Sequence, residues 1–361
     1  MKRQNIKNCS IGEISEIVEE LGEKRHRARQ ILKWLYQKGC SSFSEMTNLP
    51  TSLRQVLHDR FTITSLRLVD SVRSNIDMSQ KFLLECEDGA RIEVVLMESR
   101  EHQTICISSQ VGCSLGCVLC RTGEGGFQRD LRCDEILNQI LFCKAGYLAP
   151  RRRFNIVFMG MGEPLLNMAN LVKALEIINA EDAFALGEKR ITVSTIGLPA
   201  AIRELGATGC KFGLAISLNA TTNEQRKKLM PATCDIEETL SAARELAERK
   251  KTRVTIEYVL IDRMNDSPED AQRLATLTAG KPFKINIIPF NEWNGCAYRR
   301  PPEDRIDRFI QILLPRAPAV TVRRSQGADI CAACGQLRVR DAQARPRPPH
   351  GKQSARPERP Y

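Results

Sequence analysis

No run of 18 apolar residues occurs in the 361-residue chain, which excludes a membrane-spanning helix as the expectation. The opening stretch MKRQNIKNCSIGEISE lacks the apolar centre of a secretory leader, so a cytoplasmic location is expected. Without an oxidising compartment, a disulfide scaffold is excluded too. Acidic residues are in deficit: 43 Asp and Glu stand against 54 Lys and Arg, a net charge of +11. That balance favours an anionic partner, most simply nucleic acid, over a merely basic surface only when other signals agree.

Cysteine, in contrast, is plentiful. The chain has fourteen, three of them in Cys113-Ser-Leu-Gly-Cys117-Val-Leu-Cys120. Clustered thiols that stay reduced read as metal ligands or catalysts. Three thiolates at this spacing can hold three corners of an iron–sulfur cube. They supply no fourth ligand, and an open coordination position is where chemistry enters. A three-cysteine zinc site or chance clustering is the alternative.

At 42% hydrophobic residues, the length suits one large α/β domain plus a small one. Ser10 and Glu13 have capping-box spacing, and residues 24–39 and 51–61 continue a helical pattern, so residues 1–60 form a helical module. Its Lys24, Arg25, Arg27 and Arg29 are either phosphate contacts or a solvated face. Residues 61–98 alternate with period two, and Asp88-Gly89 marks a hairpin turn. From 99 to 330 short apolar runs alternate with helical stretches, about six units. That rhythm argues for a parallel sheet curled into a partial (β/α)6 barrel, with chemistry at the C-terminal strand ends. Residues 331–337 form a cysteine-bearing loop, and 338–361, rich in Pro and Arg, read as a disordered basic tail.

Two further stretches carry candidate chemistry. In FMGMGEPLLN, Gly160 and Gly162 allow close backbone approach to a ligand, and Glu163 offers an acceptor for a ligand ammonium; a plain Gly-rich turn is the alternative. In ACGQL, Cys334 places a thiol after the last strand. Glu93, among Ile92, Val94 and Val95, reads by itself as a solvent-facing strand carboxylate.

SSQVGC (108–113), the three-cysteine run, MGMGEPLLN (159–167), RITVSTIG (190–197), INIIPFN (285–291) and ACGQL (333–337), in this order, resemble the RlmN/Cfr family of radical S-adenosylmethionine (SAM) RNA methyltransferases. The resemblance runs from the helical module to about residue 337. It implies a [4Fe-4S] cluster on Cys113, Cys117 and Cys120. It also implies two SAM per turnover, contacted by Gly162, Glu163, Ser194, Ser217, Leu218, Asn219 and Asn291. Cys334 matches the methyl-carrying cysteine, Cys106 the resolving cysteine, and Glu93 the proton acceptor. The implied reaction methylates carbon-2 of an adenosine in 23S rRNA and an adenosine beside the tRNA anticodon. It proceeds through S-methylcysteine and a Cys106–Cys334 disulfide; carbon-8 chemistry is the rival. Flavodoxin or ferredoxin as electron donor, a monomer and no membrane partner complete the expectation. Two positions depart from the pattern: Asn219 replaces the usual His, and Cys331 a usual acidic residue. The remaining cysteines read as small buried apolar residues.

Overall fold

A computed structural model describes residues 3–149, 152–317 and 319–339. Most of the basic tail expected at 338–361 lies outside the described residues. The strands are β1 (Gln4–Asn5), β2 (Phe61–Thr62), β3 (Arg67–Arg73), β4 (Gln80–Glu85), β5 (Arg91–Glu98), β6 (His102–Cys106), β7 (Gln110–Gly112), β8 (Phe127–Asp130), β9 (Arg153–Phe158), β10 (Ile191–Thr195), β11 (Gly213–Ser217), β12 (Val254–Leu260), β13 (Phe283–Pro289) and β14 (Val320–Val322). Ten of them make one sheet in the order β14-β13-β12-β11-β10-β9-β6-β5-β4-β3. From β6 through β14 every neighbour is parallel, and β3 to β6 pair antiparallel.

The parallel part is the partial barrel, with β14 as a seventh strand. The antiparallel part is larger than the hairpin legible in the sequence. β3 adds an exposed outer strand, and β5 joins β6 directly, so the sheet is unbroken. Charged Arg67, Asp70 and Arg73 on β3 blunt that free edge.

Parallel strands need crossovers, and the sequence supplies helices with clear start signals. The helices are α1 (Ile11–Glu20), α2 (His26–Leu32), α3 (Thr51–Arg60), α4 (Arg121–Glu124), α5 (Cys133–Gly146), α6 (Met168–Asn179), α7 (Pro199–Ala207), α8 (Asn223–Leu229), α9 (Ile236–Lys250), α10 (Pro268–Thr278) and α11 (Glu303–Leu313). Asp235 accepts from the Glu237 and Glu238 amides at the start of α9, and Ser267 with Asp270 closes a capping box at α10. Such caps each contribute about 1 kcal/mol.

Inside the barrel, register brings side chains of neighbouring strands into rows. Cys106, Val157 and Thr192 are aligned across β6, β9 and β10. Ser217, Glu257, Asn286 and Thr321 are aligned from β11 to β14. One apolar core runs from the N-terminal helices through the barrel. A second cluster, including Leu115, Met230, Phe290 and Trp293, sits under the cysteine loop.

The helical module is docked on α5. Asn5 donates to Asp134 at 2.9 Å, and the Lys144 ammonium donates to the Tyr36 and Gln37 carbonyls. Its basic face is more engaged than the sequence suggests. Arg25 pairs with Glu19, Arg27 with Glu23, and Arg29 and Lys33 both reach Asp182. Six of the eight remaining cysteines are buried as expected; Cys234 and Cys296 are half-buried. Among the described residues no helix is long and apolar enough to cross a membrane.

Candidate active site

The loops at the C-terminal ends of the parallel strands surround one cavity. Its wall brings together Cys113, Cys117, Cys120, Gly160, Gly162, Glu163, Ser194, Ser217, Asn219, Asn291 and Cys334. These positions span more than 200 residues of sequence, so the barrel alone assembles them.

The three clustered thiols are half-buried and unpaired by disulfides. The Cys113 and Cys117 thiols feel Cys120 electrostatically, so the loop draws three thiols into one locality. Thiolate donors facing a shared cavity fit an iron–sulfur cluster with one iron left open.

Glu163 is 3% exposed. One carboxylate oxygen accepts from the Ile196 amide at 2.9 Å and the other from the Leu165 amide at 3.1 Å. Burial pushes its carboxyl up to about 7, against those hydrogen bonds. Among the described residues no lysine, arginine or histidine acts on it, so a ligand ammonium would be its counter-charge. That arrangement fits the amino group of SAM.

The glycines beside it have a second reason besides the one expected. A Cβ on Gly160 would fall 2.6 Å from the Ile107 carbonyl oxygen, and one on Gly162 would fall 2.4 Å from Gln110 Cβ. The protein's own 107–110 segment, which leads into the cysteine loop, makes the close approach.

Other expected contacts are partly spent on the fold. Asn219 has φ +57°, a left-handed conformation that Asn tolerates well. Its side-chain oxygen accepts from the Val259 amide at 2.9 Å, and its amide nitrogen lies 3.4 Å from Met230 sulfur. Asn291 donates to the Cys334 carbonyl at 3.1 Å. Leu218 is not brought to the cavity. Its side chain is fully buried in the main core, its amide donates to the Glu257 carbonyl, and its own carbonyl accepts from Arg226.

Cys334 lies on a loop clamped to the cysteine run. The Arg121 amide donates to the Gly335 carbonyl at 2.7 Å, and Thr122 Oγ1 donates to the Leu337 carbonyl at 2.7 Å. Gln336 braces the turn by donating to the Glu292 carbonyl. Cys334 also lines a second, smaller cavity, whose wall includes Cys106, Met159 and Arg323. The two expected redox partners therefore share one space. Burial pushes the Cys106 thiol up to about 12; Cys334 adds to this and Arg323 opposes it.

Glu93 does not face solvent. It is 5% exposed, 3.0 Å from the Lys81 ammonium, and accepts from the Arg338 amide at 2.7 Å. Burial raises its carboxyl despite these partners. It lies outside both cavities, on the flank of the Cys334 loop.

Three interior residues were missed in the sequence. Glu257 is a buried carboxylate on the cavity wall, raised by burial. The Arg323 guanidinium faces Cys334, Glu257 and Cys106, and its side-chain nitrogens lie against the sulfurs of Met159 and Met97. Arg226 is fully buried and clasps the Ile196, Leu218 and Cys234 carbonyls, fixing two cavity loops. For Glu257 the available signal was a charge inside an apolar strand pattern, VTIEYVLI.

The profile of the ribosomal RNA large subunit methyltransferase N-terminal domain matches residues 4–63, and that of the radical SAM superfamily matches residues 107–275. The chain is 43% identical over 342 residues to the dual-specificity RNA methyltransferase RlmN of Geotalea uraniireducens, covering 94% of this chain and 98% of that protein. It is 44% identical to the protein of the same name from Geobacter sulfurreducens, over 92% of each. The crystal structure of a radical SAM methyltransferase from Sphaerobacter thermophilus superposes with a TM-score of 0.86 at 39% identity, covering 93% of this chain and 99% of that one. With this identity along nearly its whole length, and with three thiols, a buried Glu163 and the Cys334 loop around one cavity, the chain belongs to the RlmN family of radical SAM enzymes.

Proposed function

We propose that this chain methylates carbon-2 of an adenosine in 23S rRNA and an adenosine beside the tRNA anticodon, using Cys334 as the methyl carrier. The observation that carries the reading is the position of Cys334. It lines both the cavity of the three cluster thiols and the one that holds Cys106. Adenine carbon-2 is not nucleophilic, so direct methyl-cation transfer to it is poor chemistry, and the cofactor supplies the hard step. When bound, the [4Fe-4S] cluster supplies the electron that cleaves SAM and so yields a hydrogen-abstracting radical.

The protein's residues do the rest. Cys113, Cys117 and Cys120 hold the cluster, and Glu163 receives the SAM ammonium. Cys334 takes a methyl group from a first SAM by displacement at carbon and presents it, as a thioether, to the radical chemistry. Glu93 serves as proton acceptor, a role its raised proton affinity suits. Cys106 then attacks the Cys334 sulfur, releasing the methylated base and leaving a disulfide. The adenine must be unstacked to reach this mouth. We assign flavodoxin or ferredoxin as electron donor, a monomeric state and a cytoplasmic location.

The test is mass spectrometry of anaerobically reconstituted protein incubated with SAM and a ribosomal RNA fragment. S-Methylated Cys334 together with 2-methyladenosine is the expected result. 8-Methyladenosine would refute the regiochemistry. Zinc in place of iron in the purified protein would refute the enzyme reading.

A further inference from the structure

The barrel also opens at its other end, where strands begin. A bowl of about 370 Å³ lies between the starts of β6, β9 and β10 and the segment that follows β14. Four cations border it, Lys189, Arg190, Arg323 and Arg324, against one carboxylate, Glu98. Glu98 is already paired with Arg152 at 2.9 Å. Lys189 and Arg324 are exposed and have no ion pair or hydrogen bond among the described residues. A net-positive concavity of this kind concentrates small anions.

The bowl adjoins the cavity of the redox pair. It shares Met97, Val157, Arg323 and Gln326 with the small cavity of Cys106 and Cys334. Thr104, on the bowl wall, and Cys106 point to the same face of β6, about 7 Å apart along the strand. Cys106 lines the small cavity on the far side of that shared wall, while Cys334 also lines the main cavity at the strand ends.

We propose that this bowl admits a small anionic thiol, which reduces the Cys106–Cys334 disulfide from the N-terminal end of the barrel by attacking Cys106. The proposal rests on the methyl-carrier reading above. A thiolate RS⁻ bonds to the Cys106 sulfur, the disulfide bond breaks, and the electron pair leaves on the Cys334 sulfur. A second RS⁻ attacks the resulting Cys106–SR bond, RSSR departs, and both protein sulfurs are left reduced. Two thiols are oxidised to one disulfide, and one protein disulfide is reduced to two thiols. The direction of attack follows from placement: Cys106 lines the cavity beside the bowl, whereas Cys334 also lines the main cavity, and the Arg323 guanidinium on the shared wall is a counter-charge for a departing Cys334 thiolate. The size of the bowl selects a small molecule, because a folded dithiol protein cannot enter it.

The experiment uses the full chain, oxidised with diamide until the linked Cys106–Cys334 peptide is seen by mass spectrometry. Glutathione, which carries two carboxylates, and neutral 2-mercaptoethanol are then compared as reductants, each rate corrected for its thiolate fraction. In the Lys189→Glu, Arg324→Glu double variant the glutathione rate is expected to fall about tenfold, with the 2-mercaptoethanol rate unchanged. Saturating SAM and RNA fragment should leave the wild-type glutathione rate intact, and acid quenching should find glutathione on the Cys106 peptide. Equal rates in variant and wild type, an equal fall for both thiols, blockage by RNA, or glutathione on Cys334 would overturn the proposal. Failure of the linked peptide to form would instead sink the underlying reading of Cys106 as the resolving thiol, and the proposal with it.

Discussion

Glu163 makes the folded protein less stable at neutral pH, the cost of the SAM site proposed for it. Burial lifts its carboxyl from 4.5 to about 7. The folded chain therefore holds this proton more tightly than the unfolded chain. Stability falls as pH rises from about 4.5 to about 7 and stays lowered above that. Between pH 5 and pH 8 the loss integrates to about 2.5 kcal/mol. Glu163→Gln removes this titration. It also leaves one of the Ile196 and Leu165 amides without an oxygen, a cost of about 1–3 kcal/mol that does not change with pH. The stability difference between wild type and variant should thus shift by about 2.5 kcal/mol from pH 5 to pH 8, in favour of the variant. SAM affinity should move the other way, falling at least about thirtyfold, because a buried charge pair loses one member. Denaturant melts at the two pH values and equilibrium dialysis with SAM measure both. A pH-independent stability difference, or unchanged SAM affinity, refutes the reasoning.

Gly335 has φ +81°, and a Cβ there would lie 2.6 Å from the Leu119 carbonyl, whereas Gly295 at φ +89° has open space around it. Gly295→Ala should cost about 1–2 kcal/mol. Gly335→Ala should cost more and also slow SAM-dependent methylation of Cys334, read by intact-protein mass; equal melting shifts for the two would count against the clamp. Cys331 sits at φ +51° with its carbonyl held by Lys81. Cys331→Asn should raise stability by a few tenths to about 1 kcal/mol in thermal melts, since Asn tolerates that conformation better. RNA binding should weaken steeply with salt, about 0.7 in log K per log salt for each single-strand phosphate contacted. A flat titration by fluorescence anisotropy would remove the basic surface from the binding model.

The strand–helix rhythm of the barrel was legible because each strand is a short apolar run and most helices announce their starts, as Ser267 and Pro268 do. The three-cysteine loop and Glu163 were legible because their chemistry is local in sequence. Less visible was anything that depends on which face of a strand points inward. Glu93 looks like a surface carboxylate until β4 lies beside it and Lys81 turns toward it. Arg323 and Glu257 meet only because β12 and β14 both flank β13. Leu218 shows the converse: it directly follows Ser217, yet strand alternation turns it into the core. Arg29 of the N-terminal module was legible as a charge, but its partner Asp182 lies some 150 positions away.

The clamp between the two cysteine loops has a consequence in time. Thr122 and Leu337, which join them, are 215 positions apart. A ribosome adds that length in roughly 10–40 s. For that interval the nascent chain already carries Cys113, Cys117 and Cys120, but not the segment that fastens their loop. A cluster inserted early would meet this loop unfastened, and one inserted late would meet it latched. A chain truncated before Gly335 would keep all three proposed ligand thiols and leave their loop unfastened, open to iron and equally open to oxidation.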